Sequence, residues 1–200
     1  MRLTGPRITP RTSLSKEHSA LRYCSDCGAA LARRVPPDDN RPRAVCDHCG
    51  AIHYENPKVV TGCLVVRGSR VLLCRRAIEP RRGYWTLPAG YLELEETSSE
   101  GARRETLEEA GAEVRVGPLF LIYDVPHLSQ VQLFFRAELT REGIAPGPES
   151  LEVAFVEIAD IPWSELAFSA VRAALELLRD RGLEDPQPAH RDAYRGDPRQ

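Results

Sequence analysis

Short apolar stretches with many β-branched residues recur along the chain and are separated by turn residues. Two of them, residues 59–66 and 70–75, are joined by Arg67-Gly68-Ser69-Arg70, which predicts a β-hairpin. Proline and glycine within residues 146–150 mark a loop before a later stretch. The same pattern predicts three further strands, at residues 119–125, 131–139 and 153–158.

Helix signals occur at two places. Thr97 and Glu100 have the spacing of a capping box, so the first helix is predicted to begin at Ser98, and Gly111 stands where a C-terminal cap belongs. The second predicted helix, Ser169–Arg181, has apolar residues on one face and a glycine after its end. Its inward residues are Val171, Leu175 and Leu178, and its cap is Gly182. Strands and helices in this order predict an α/β fold.

The first predicted helix carries three glutamates on one face. Glu105, Glu108 and Glu109 stand at positions i, i+3 and i+4, where like charges repel by roughly 0.2–0.5 kcal/mol per pair. A hard divalent cation would reverse this repulsion, because carboxylates are usual protein ligands of Mg²⁺ and Mn²⁺. The alternative interpretation is a solvated acidic helix with ion pairs such as Glu100–Arg104.

Residues 90–111 have the spacing G-x5-E-x7-R-E-x-x-E-E-x-G, which resembles the signature of the Nudix hydrolases. The matching residues are Gly90, Glu96, Arg104, Glu105, Glu108, Glu109 and Gly111. Residues 85–90, which lead into this signature, also resemble the family's strand-to-loop entry. Two positions depart from the family pattern: Ala89 replaces a frequent glycine, and Thr106 replaces an aliphatic residue. Neither departure removes a carboxylate.

The resemblance implies a fold, an activity and a role for each of these residues. The fold is an α/β/α sandwich around a mixed sheet, and the activity is hydrolysis of a nucleoside diphosphate linked to another group, X. The expected ligands of Mg²⁺ or Mn²⁺ are Glu105, Glu108, Glu109 and the Gly90 carbonyl. Arg104 is expected to hold a glutamate by a charge-assisted hydrogen bond, and Glu96 to lie near the helix cap. A Nudix domain without catalytic activity is the alternative.

Two C-x-x-C-G motifs precede this region, with eighteen residues between them. Their cysteines are Cys24, Cys27, Cys46 and Cys49. The spacing predicts a structural zinc site with four thiolate ligands and no open position for a substrate. The alternatives are two disulfides, which need an oxidising compartment, or a histidine ligand, His48 or His53. Cys63 and Cys74 lie in apolar stretches and are predicted to be buried.

Further segments resemble a subgroup of Nudix proteins that carry a zinc ribbon, and the resemblance covers residues 24–180. Plant plastid relatives in this subgroup are FAD pyrophosphatases that also act on ADP-ribose, and bacterial relatives are mostly described as Nudix or ADP-ribose pyrophosphatase-like proteins. The resemblance therefore implies FAD or ADP-ribose as substrate. NADH pyrophosphatases also join a ribbon to a Nudix domain, but they carry a Ser-Gln-Pro-Trp-Pro-Phe-Pro motif that this sequence lacks. NADH is therefore the second interpretation. A nucleotide sensor without catalysis, with the ribbon as a docking module, is the third.

Candidate substrate contacts lie outside the signature. Four arginines precede the catalytic loop, and a guanidinium matches a diphosphate well. Arg76 and Arg82 are selected from this set, which also contains Arg75 and Arg81. Tyr123 is selected as a ring that can stack on adenine or isoalloxazine, with burial in the core as its alternative. Glu152, which flanks the 146–150 loop together with Glu149, is the candidate outside the signature for orienting the attacking water; within the signature Glu109 is the candidate.

Charge and composition limit the remaining interpretations. A formal net charge of −2 argues against a general nucleic-acid-binding protein, and no apolar run is long enough to cross a bilayer. The predicted organisation is a disordered segment 1–20, a zinc ribbon 21–55, a Nudix domain 56–182 and a disordered tail 183–200. The expected location is the bacterial cytoplasm, with a basic organellar targeting segment at residues 1–20 as the alternative. The resemblance also implies a homodimer.

Overall fold

The structure is a computed structural model that describes residues 21–182 and 190–193. The chain divides into two compact units, one ending at Asn56 and the other beginning at Pro57. This boundary lies one residue from the predicted one. The predictions for residues 1–20 lie outside the described residues. No helix in the described part of the chain is long and apolar enough to cross a membrane.

The first unit is built on a small antiparallel sheet of three strands. They are β1 (Leu31–Arg34), β2 (Arg43–Cys46) and β3 (Ile52–His53), adjacent in that order. The buried apolar residues here are little more than Cys24, Ala44, Val45 and Cys46. So small a core cannot offset the conformational entropy lost on folding. The unit therefore depends on a further source of stability, such as a bound metal.

The described residues of the second unit form eight strands and two α-helices. The strands are β4 (Lys58–Arg67), β5 (Arg70–Arg76), β6 (Trp85–Thr86), β7 (Ala89–Tyr91), β8 (Val114–Val125), β9 (Gln130–Leu139), β10 (Ser150–Glu157) and β11 (His190–Ala193). The helices are α1 (Ser98–Ala110) and α2 (Ser169–Arg181). All five strands predicted from apolar stretches are confirmed. β8 begins before the predicted residue 119. The prediction started late because Gly117 and Pro118 interrupt the apolar pattern. The pairing of β8 with β9 also shifts register there.

These strands form one mixed sheet in the order β10-β5-β4-β9-β8-β11, with β6 paired to β5 and β7 paired to β4. β4 runs parallel to β9 and β8 runs parallel to β11, while the other pairs are antiparallel. The short strand β7 places Gly90 opposite Thr61 of the central strand β4. This pairing fixes the start of the signature segment against the middle of the sheet.

The two helices cover opposite faces of the sheet. Leu64 and Val71 belong to the core cluster that contains the apolar residues of α2. Their neighbours Val65 and Leu72 belong to the cluster that contains Ala102 of α1. Because successive side chains of a strand point to opposite faces, the two clusters lie on opposite sides. The predicted α/β/α sandwich with a mixed sheet is confirmed.

Both helices begin and end where their sequence signals predict. The Glu100 backbone N–H donates to Thr97 Oγ1 at 3.3 Å, and the Thr97 backbone N–H donates to Glu100 Oε2 at 2.8 Å, which is a complete capping box. Gly111 ends α1 with φ 60°, a conformation that favours glycine. Gly182 ends α2 and donates its N–H to the Leu178 carbonyl.

One part of the predicted disordered tail is ordered in the structure. Residues His190–Ala193 form β11, which pairs in parallel with the edge of β8 from Leu121 to Asp124. These four residues therefore form a strand inside the segment that was predicted to be a disordered tail. An added edge strand is held by backbone hydrogen bonds, so a segment without an apolar pattern can form one. The rest of the tail, residues 183–189 and 194–200, lies outside the described residues.

Candidate active site and zinc site

The three glutamates of α1 differ greatly in exposure. Glu109 is 7% exposed, the side chain of Glu105 is 13% exposed, and the side chain of Glu108 is 57% exposed. Thr106, which departs from the family pattern, faces the sheet and is fully buried. Its hydroxyl donates to the Ala102 carbonyl at 2.7 Å, so the departure leaves no buried polar group without a partner.

The strand β7 contacts two of these carboxylates directly. A Cβ on Gly90 would lie 2.3 Å from the carboxylate carbon of Glu105, so a larger residue here would displace this carboxylate. The neighbouring Ala89 N–H donates to Glu109 Oε2 at 3.0 Å. The signature segment therefore folds back on its own helix, and the backbone at residues 89–90 lies against the acidic face.

Arg104 connects four parts of this region. Its guanidinium donates to both carboxylate oxygens of Glu96, at 3.0 and 2.7 Å, and to Glu105 at 2.7 Å. It also donates to Glu108 at 3.2 Å and to the Tyr91 carbonyl at 3.0 Å. The hydrogen bond from Arg104 is the main reason that the pKa of Glu96 is lowered to about 2. Arg104 is thus occupied by glutamates, as predicted, and Glu96 lies one residue before the cap Thr97.

Burial makes two of the helix carboxylates costly to ionise. The pKa of Glu109 is raised to about 7, mainly by burial; Glu105 and Glu149 contribute to the rise, while the Ala89 N–H and Arg76 oppose it. Burial also raises the pKa of Glu105. A divalent cation between these carboxylates would stabilise their ionised forms.

The donor chemistry of this acidic face fits a hard cation. All its donors are carboxylate or carbonyl oxygens, which Mg²⁺ and Mn²⁺ prefer. Among the described residues, the four cysteines are the only group of three or more candidate ligands whose donor atoms all lie within 4.8 Å of one another. Arg104 instead stands between Glu105 and Glu108 and pairs with both. Binding of a cation would therefore draw these carboxylates closer together.

The four cysteines of the first unit form a compact cluster. The sulfur atoms of Cys24 and Cys49 are 3.6 Å apart, and those of Cys27 and Cys46 are 3.5 Å apart. Four thiolates at about 2.3 Å from a tetrahedral zinc would lie at roughly this separation. All six cysteines of the chain are free thiols, and the disulfide alternative finds no support. The predicted four-cysteine zinc site fits this arrangement.

The two cysteine motifs have the same backbone design. In each motif the first cysteine's N–H donates to a carbonyl five residues on, and its carbonyl accepts from a glycine four residues on. Gly28 and Gly50, with φ of 74° and 79°, make these turns. His53 Nε2 lies 3.3 Å from the Cys24 sulfur. This contact places His53 beside a ligand as a hydrogen-bonding neighbour, outside the four-sulfur cluster.

Comparison with known proteins decides the family. The Nudix domain model matches residues 56–178, and the model of the zinc ribbon found at the N-terminus of Nudix proteins matches residues 22–55. The chain belongs to the Nudix hydrolases. A crystal structure of a Nudix hydrolase from Nitrosomonas europaea is 44% identical, with a TM-score of 0.82, and the match covers 87% of this chain and 99% of that one.

The names of the Nudix relatives point to different substrates. A protein of Stutzerimonas stutzeri named NAD-capped RNA hydrolase NudC is 30% identical over 170 residues, which are 84% of this chain and 59% of that protein. A protein of Methanocaldococcus jannaschii named ADP-ribose pyrophosphatase is 25% identical over 130 residues, covering 63% of this chain and 76% of that protein. This chain thus spans little more than half of the first relative. The relatives are pyrophosphatases, and their names do not agree on one substrate.

Outside the Nudix signature, Glu149 lies close enough to the acidic face for its charge to raise the pKa of two glutamates of α1. Its charge acts on both Glu105 and Glu109. Glu152, the predicted candidate, instead stands opposite Arg75 in the β10–β5 pairing and forms an ion pair with it at 3.6 Å. Glu152 therefore stays a prediction, and Glu149 is a second candidate outside the signature. A β-bulge between Ser150 and Glu152 changes the side-chain alternation there, and the sequence gives no signal of this bulge.

The loop before Glu149 is fastened to the end of α1. The Ala145 N–H donates to the Ala110 carbonyl at 2.8 Å, and the Gly147 N–H donates to the Glu109 carbonyl at 3.1 Å. A Cβ on Gly147 would lie 1.7 Å from the Glu108 carbonyl oxygen. The same helix end that carries Glu108 and Glu109 thus also positions the loop that carries Glu149.

Of the two arginines predicted to contact substrate, Arg76 lies near the acidic face and Arg82 does not. Arg76 is half-buried, donates to the Pro80 carbonyl at 2.9 Å and lies over the Phe168 ring at 4.9 Å. Its charge lowers the pKa of Glu109, so it lies close enough to act on the acidic face. Arg82 is exposed, and the structure gives it no contact with the carboxylates.

Tyr123 does not reach the site. It is 5% exposed and belongs to the core cluster on the α2 side of the sheet. The prediction that Tyr123 stacks on substrate is therefore wrong, and its alternative, burial in the core, is correct. Tyr123 lies on β8, opposite Gln132 of β9. The sequence pattern of the strand does not show whether a side chain at this position faces the core or a binding site. The predicted burial of Cys63 and Cys74 is confirmed.

Proposed function

We propose that this protein hydrolyses the diphosphate bond of adenosine diphosphate joined to a second group, with ADP-ribose and FAD as its main substrates and AMP as the common product. The observation that carries the proposal is the acidic face of α1, where the carboxylates of Glu105 and Glu109 are packed against the backbone at residues 89–90. Membership of the Nudix hydrolases supports the reaction class. The ADP-ribose pyrophosphatase among the relatives and the resemblance of the sequence to FAD pyrophosphatases support the substrates.

The proposed ligands of Mg²⁺ or Mn²⁺ are Glu105, Glu108, Glu109 and the Gly90 carbonyl. When bound, the cation supplies positive charge that offsets the charge on the phosphate oxygens. Arg104 keeps Glu105 and Glu108 oriented through hydrogen bonds of 2.7 and 3.2 Å. Because Arg104 is engaged by three glutamates and the Tyr91 carbonyl, its proposed role is to position these groups. Arg76 is the candidate for contact with the diphosphate.

Two carboxylates are candidates for orienting the attacking water, Glu109 within the signature and Glu149 outside it. In the proposed reaction the water oxygen forms a bond to phosphorus and the bond to the bridging oxygen breaks. The proton lost by the water passes to the carboxylate and then to solvent. Glu149 is exposed and is held by a backbone hydrogen bond from Ala77 to its carbonyl at 2.8 Å. An exposed carboxylate on an anchored backbone suits the exchange of a proton with solvent.

NADH and related nicotinamide dinucleotides are the second candidate. The specific observation in their favour is the relative named NAD-capped RNA hydrolase, which is 30% identical to this chain. Against them stands the absence of the Ser-Gln-Pro-Trp-Pro-Phe-Pro motif of the NADH pyrophosphatases. The same relative means that the expected absence of a nucleic-acid partner stays a prediction, as do the homodimer and the cytoplasmic location.

A substrate panel tests the proposal. The protein is incubated with equal concentrations of FAD, ADP-ribose, NADH, NAD⁺, diadenosine polyphosphates and nucleoside triphosphates, and kcat/KM is ranked. We expect FAD and ADP-ribose to lead and to lie within one or two orders of magnitude of each other, because apolar contacts to the second group discriminate by only about 1–3 kcal/mol. A hundredfold preference for NADH over both would move the assignment to the second candidate. Nucleotide binding without turnover would favour the sensor interpretation.

A further inference from the structure

Thr61, in the central strand β4, is a fully buried polar residue that the reaction above does not use. Its hydroxyl donates to the Ser98 carbonyl, in the first turn of α1, at 2.6 Å. Thr61 and Gly90 are directly paired across β4 and β7, and directly paired residues share a face of the sheet. The hydroxyl therefore joins the helix that carries the acidic face to the strand that pairs with the start of the signature.

The thiol of Cys63 makes a second contact of the same kind. Cys63 lies two residues after Thr61 on β4 and donates to the Ala102 carbonyl at 3.4 Å. Ala102 in turn lies four residues after Ser98. Two residues of a strand advance by about 6.6 Å, and four residues of a helix advance by about 6.0 Å. α1 thus runs along β4, and two side chains on one face of the strand hold two carbonyls of the helix that are one turn apart.

The helix and the strand approach each other closely at this turn. A Cβ on Gly101 would lie 2.8 Å from the methyl carbon of Thr61. Glu105 follows Gly101 by four residues and therefore shares its helix face, and the Glu105 carboxylate lies against Gly90. The two paired sheet positions, Thr61 and Gly90, thus contact consecutive turns of α1. The contact of Thr61 with the helix lies one turn before the first carboxylate of the acidic face.

We propose that Thr61 is a positioning residue for the proposed cation site. Its hydroxyl fixes how far α1 stands from the sheet, and this distance places the Glu105 and Glu109 carboxylates against the backbone at residues 89–90. The proposal rests on the function proposed above. In Thr61→Val a methyl group replaces the hydroxyl, and a carbon and a carbonyl oxygen need a separation of about 3.3–3.6 Å. Because the present distance is 2.6 Å, the first turn of α1 must lift by about 0.7–1 Å.

The test is steady-state hydrolysis of ADP-ribose by Thr61→Val over a series of Mg²⁺ concentrations. A misplacement of about 1 Å lowers the rate by about 10²-fold, so kcat at saturating Mg²⁺ should fall by about 10- to 100-fold. The Mg²⁺ concentration that gives half of the maximal rate should rise about tenfold or more, the scale seen when groups that orient metal ligands are removed. Thr61→Ser keeps the hydroxyl and should restore both quantities to within about threefold of the wild type.

Thr106→Val is the matched control. Thr106 is also fully buried, but its hydroxyl donates to the Ala102 carbonyl at 2.7 Å, within α1 itself. The bond that this variant loses lies inside the helix, so kcat and the Mg²⁺ dependence should stay within about threefold of the wild type. Equal losses in Thr61→Val and Thr106→Val would overturn the proposal, because the loss of any buried hydroxyl would then explain them. A Thr61→Val protein with normal kcat and normal Mg²⁺ dependence would also overturn it.

Amide hydrogen exchange in magnesium-free buffer tests the role of Thr61 without cation or substrate. The amides of α1 should exchange faster in Thr61→Val than in the wild type, whereas those of α2 should exchange at the same rate. Faster exchange of both helices by the same factor would show a general loss of stability and would overturn the proposal, as would unchanged exchange of α1.

Calorimetric titration with Mn²⁺ separates this proposal from the proposed function. Thr61→Val should bind Mn²⁺ at the acidic face about tenfold more weakly than the wild type does, and Glu109→Gln identifies the heat that belongs to this site. A wild type that binds Mn²⁺ but cleaves neither FAD nor ADP-ribose would refute the proposed function and leave the role of Thr61 supported by the weaker binding. Equal Mn²⁺ affinity of Thr61→Val and the wild type, or a wild type that binds no Mn²⁺, would overturn that role.

Discussion

Gly147→Ala tests whether the loop that carries Glu149 must touch the catalytic helix. An ideal Cβ at position 147 would lie 1.7 Å from the Glu108 carbonyl oxygen, whereas real Cβ contacts are essentially never shorter than 3.0 Å. The loop must therefore retreat by the difference, about 1.3 Å, or the end of α1 must deform. The obstructing atom belongs to the backbone, so no side-chain rotation can relieve the contact.

The structure gives the size of the expected loss of stability and of the expected loss of activity. Retreat of the loop breaks the 3.1 Å hydrogen bond from Gly147 to Glu109, which is worth about 1 kcal/mol. Strain from the added methyl group contributes about 1–3 kcal/mol more, so the free energy of unfolding should fall by about 2–4 kcal/mol. Glu149 is two residues away, and a misplacement of about 1 Å near the reacting groups lowers the rate by about 10²-fold.

Urea unfolding measures the loss of stability, and steady-state hydrolysis of ADP-ribose measures the loss of activity. Gly117→Ala is the control. Its Cβ would lie 3.3 Å from the Arg136 carbonyl oxygen, so the neighbouring backbone needs to move by only a few tenths of an ångström. The control should change stability by less than about 1 kcal/mol and leave kcat unchanged. If Gly147→Ala folds but keeps kcat within threefold of the wild type, the loop contact does not position a catalytic group.

Three further predictions concern the carboxylates and the zinc. Glu109→Gln keeps the side-chain volume but removes the charge, so kcat should fall by roughly 10²–10⁴ while circular dichroism shows an intact fold; near-normal turnover would contradict the assigned role. Elemental analysis should find one zinc per chain in the wild type and none in Cys24→Ser, while Mg²⁺ still activates hydrolysis by the variant; a zinc-free wild type would refute the site. In magnesium-free buffer, stability should fall as pH rises from about 4.5 to about 7, because native Glu109 keeps its proton over this range and the unfolded chain releases it. Urea unfolding over this pH range should show a loss of up to about 3 kcal/mol, and Glu109→Gln should remove most of it; an unchanged slope would rule out Glu109 as its source.

Local sequence signals predicted the elements of this fold well where each element carries its own pattern. The capping box of Thr97 and Glu100 and the glycine at 111 gave the ends of α1, because capping chemistry is local. The strands β6 and β7 have two and three residues, too few for an apolar alternation to appear. β11 is held by its pairing with β8, a contact between residues far apart in sequence.

The candidate site was predictable in its acidic helix and less so outside it. Glu105, Glu108 and Glu109 share a helix face by spacing alone, and the engagement of Arg104 by glutamates followed from the family resemblance. The choice between Glu149 and Glu152 depends on a β-bulge, and a bulge reverses which side chain faces a site without changing the apolar pattern. Tyr123 and Tyr91 also show what a strand pattern cannot predict. Both are tyrosines on strands, but Tyr123 is buried in the cluster that contains α2, whereas Tyr91 is exposed.

The most direct test of the account is the identification of products from FAD and ADP-ribose. Each substrate is incubated with the wild-type protein and Mg²⁺, and the products are separated by chromatography, with a magnesium-free sample and Glu109→Gln as controls. The account predicts AMP from both substrates, together with FMN from FAD and ribose 5-phosphate from ADP-ribose, and little product in either control. Intact substrates in all samples, or cleavage that is equally fast without a divalent cation, would contradict it.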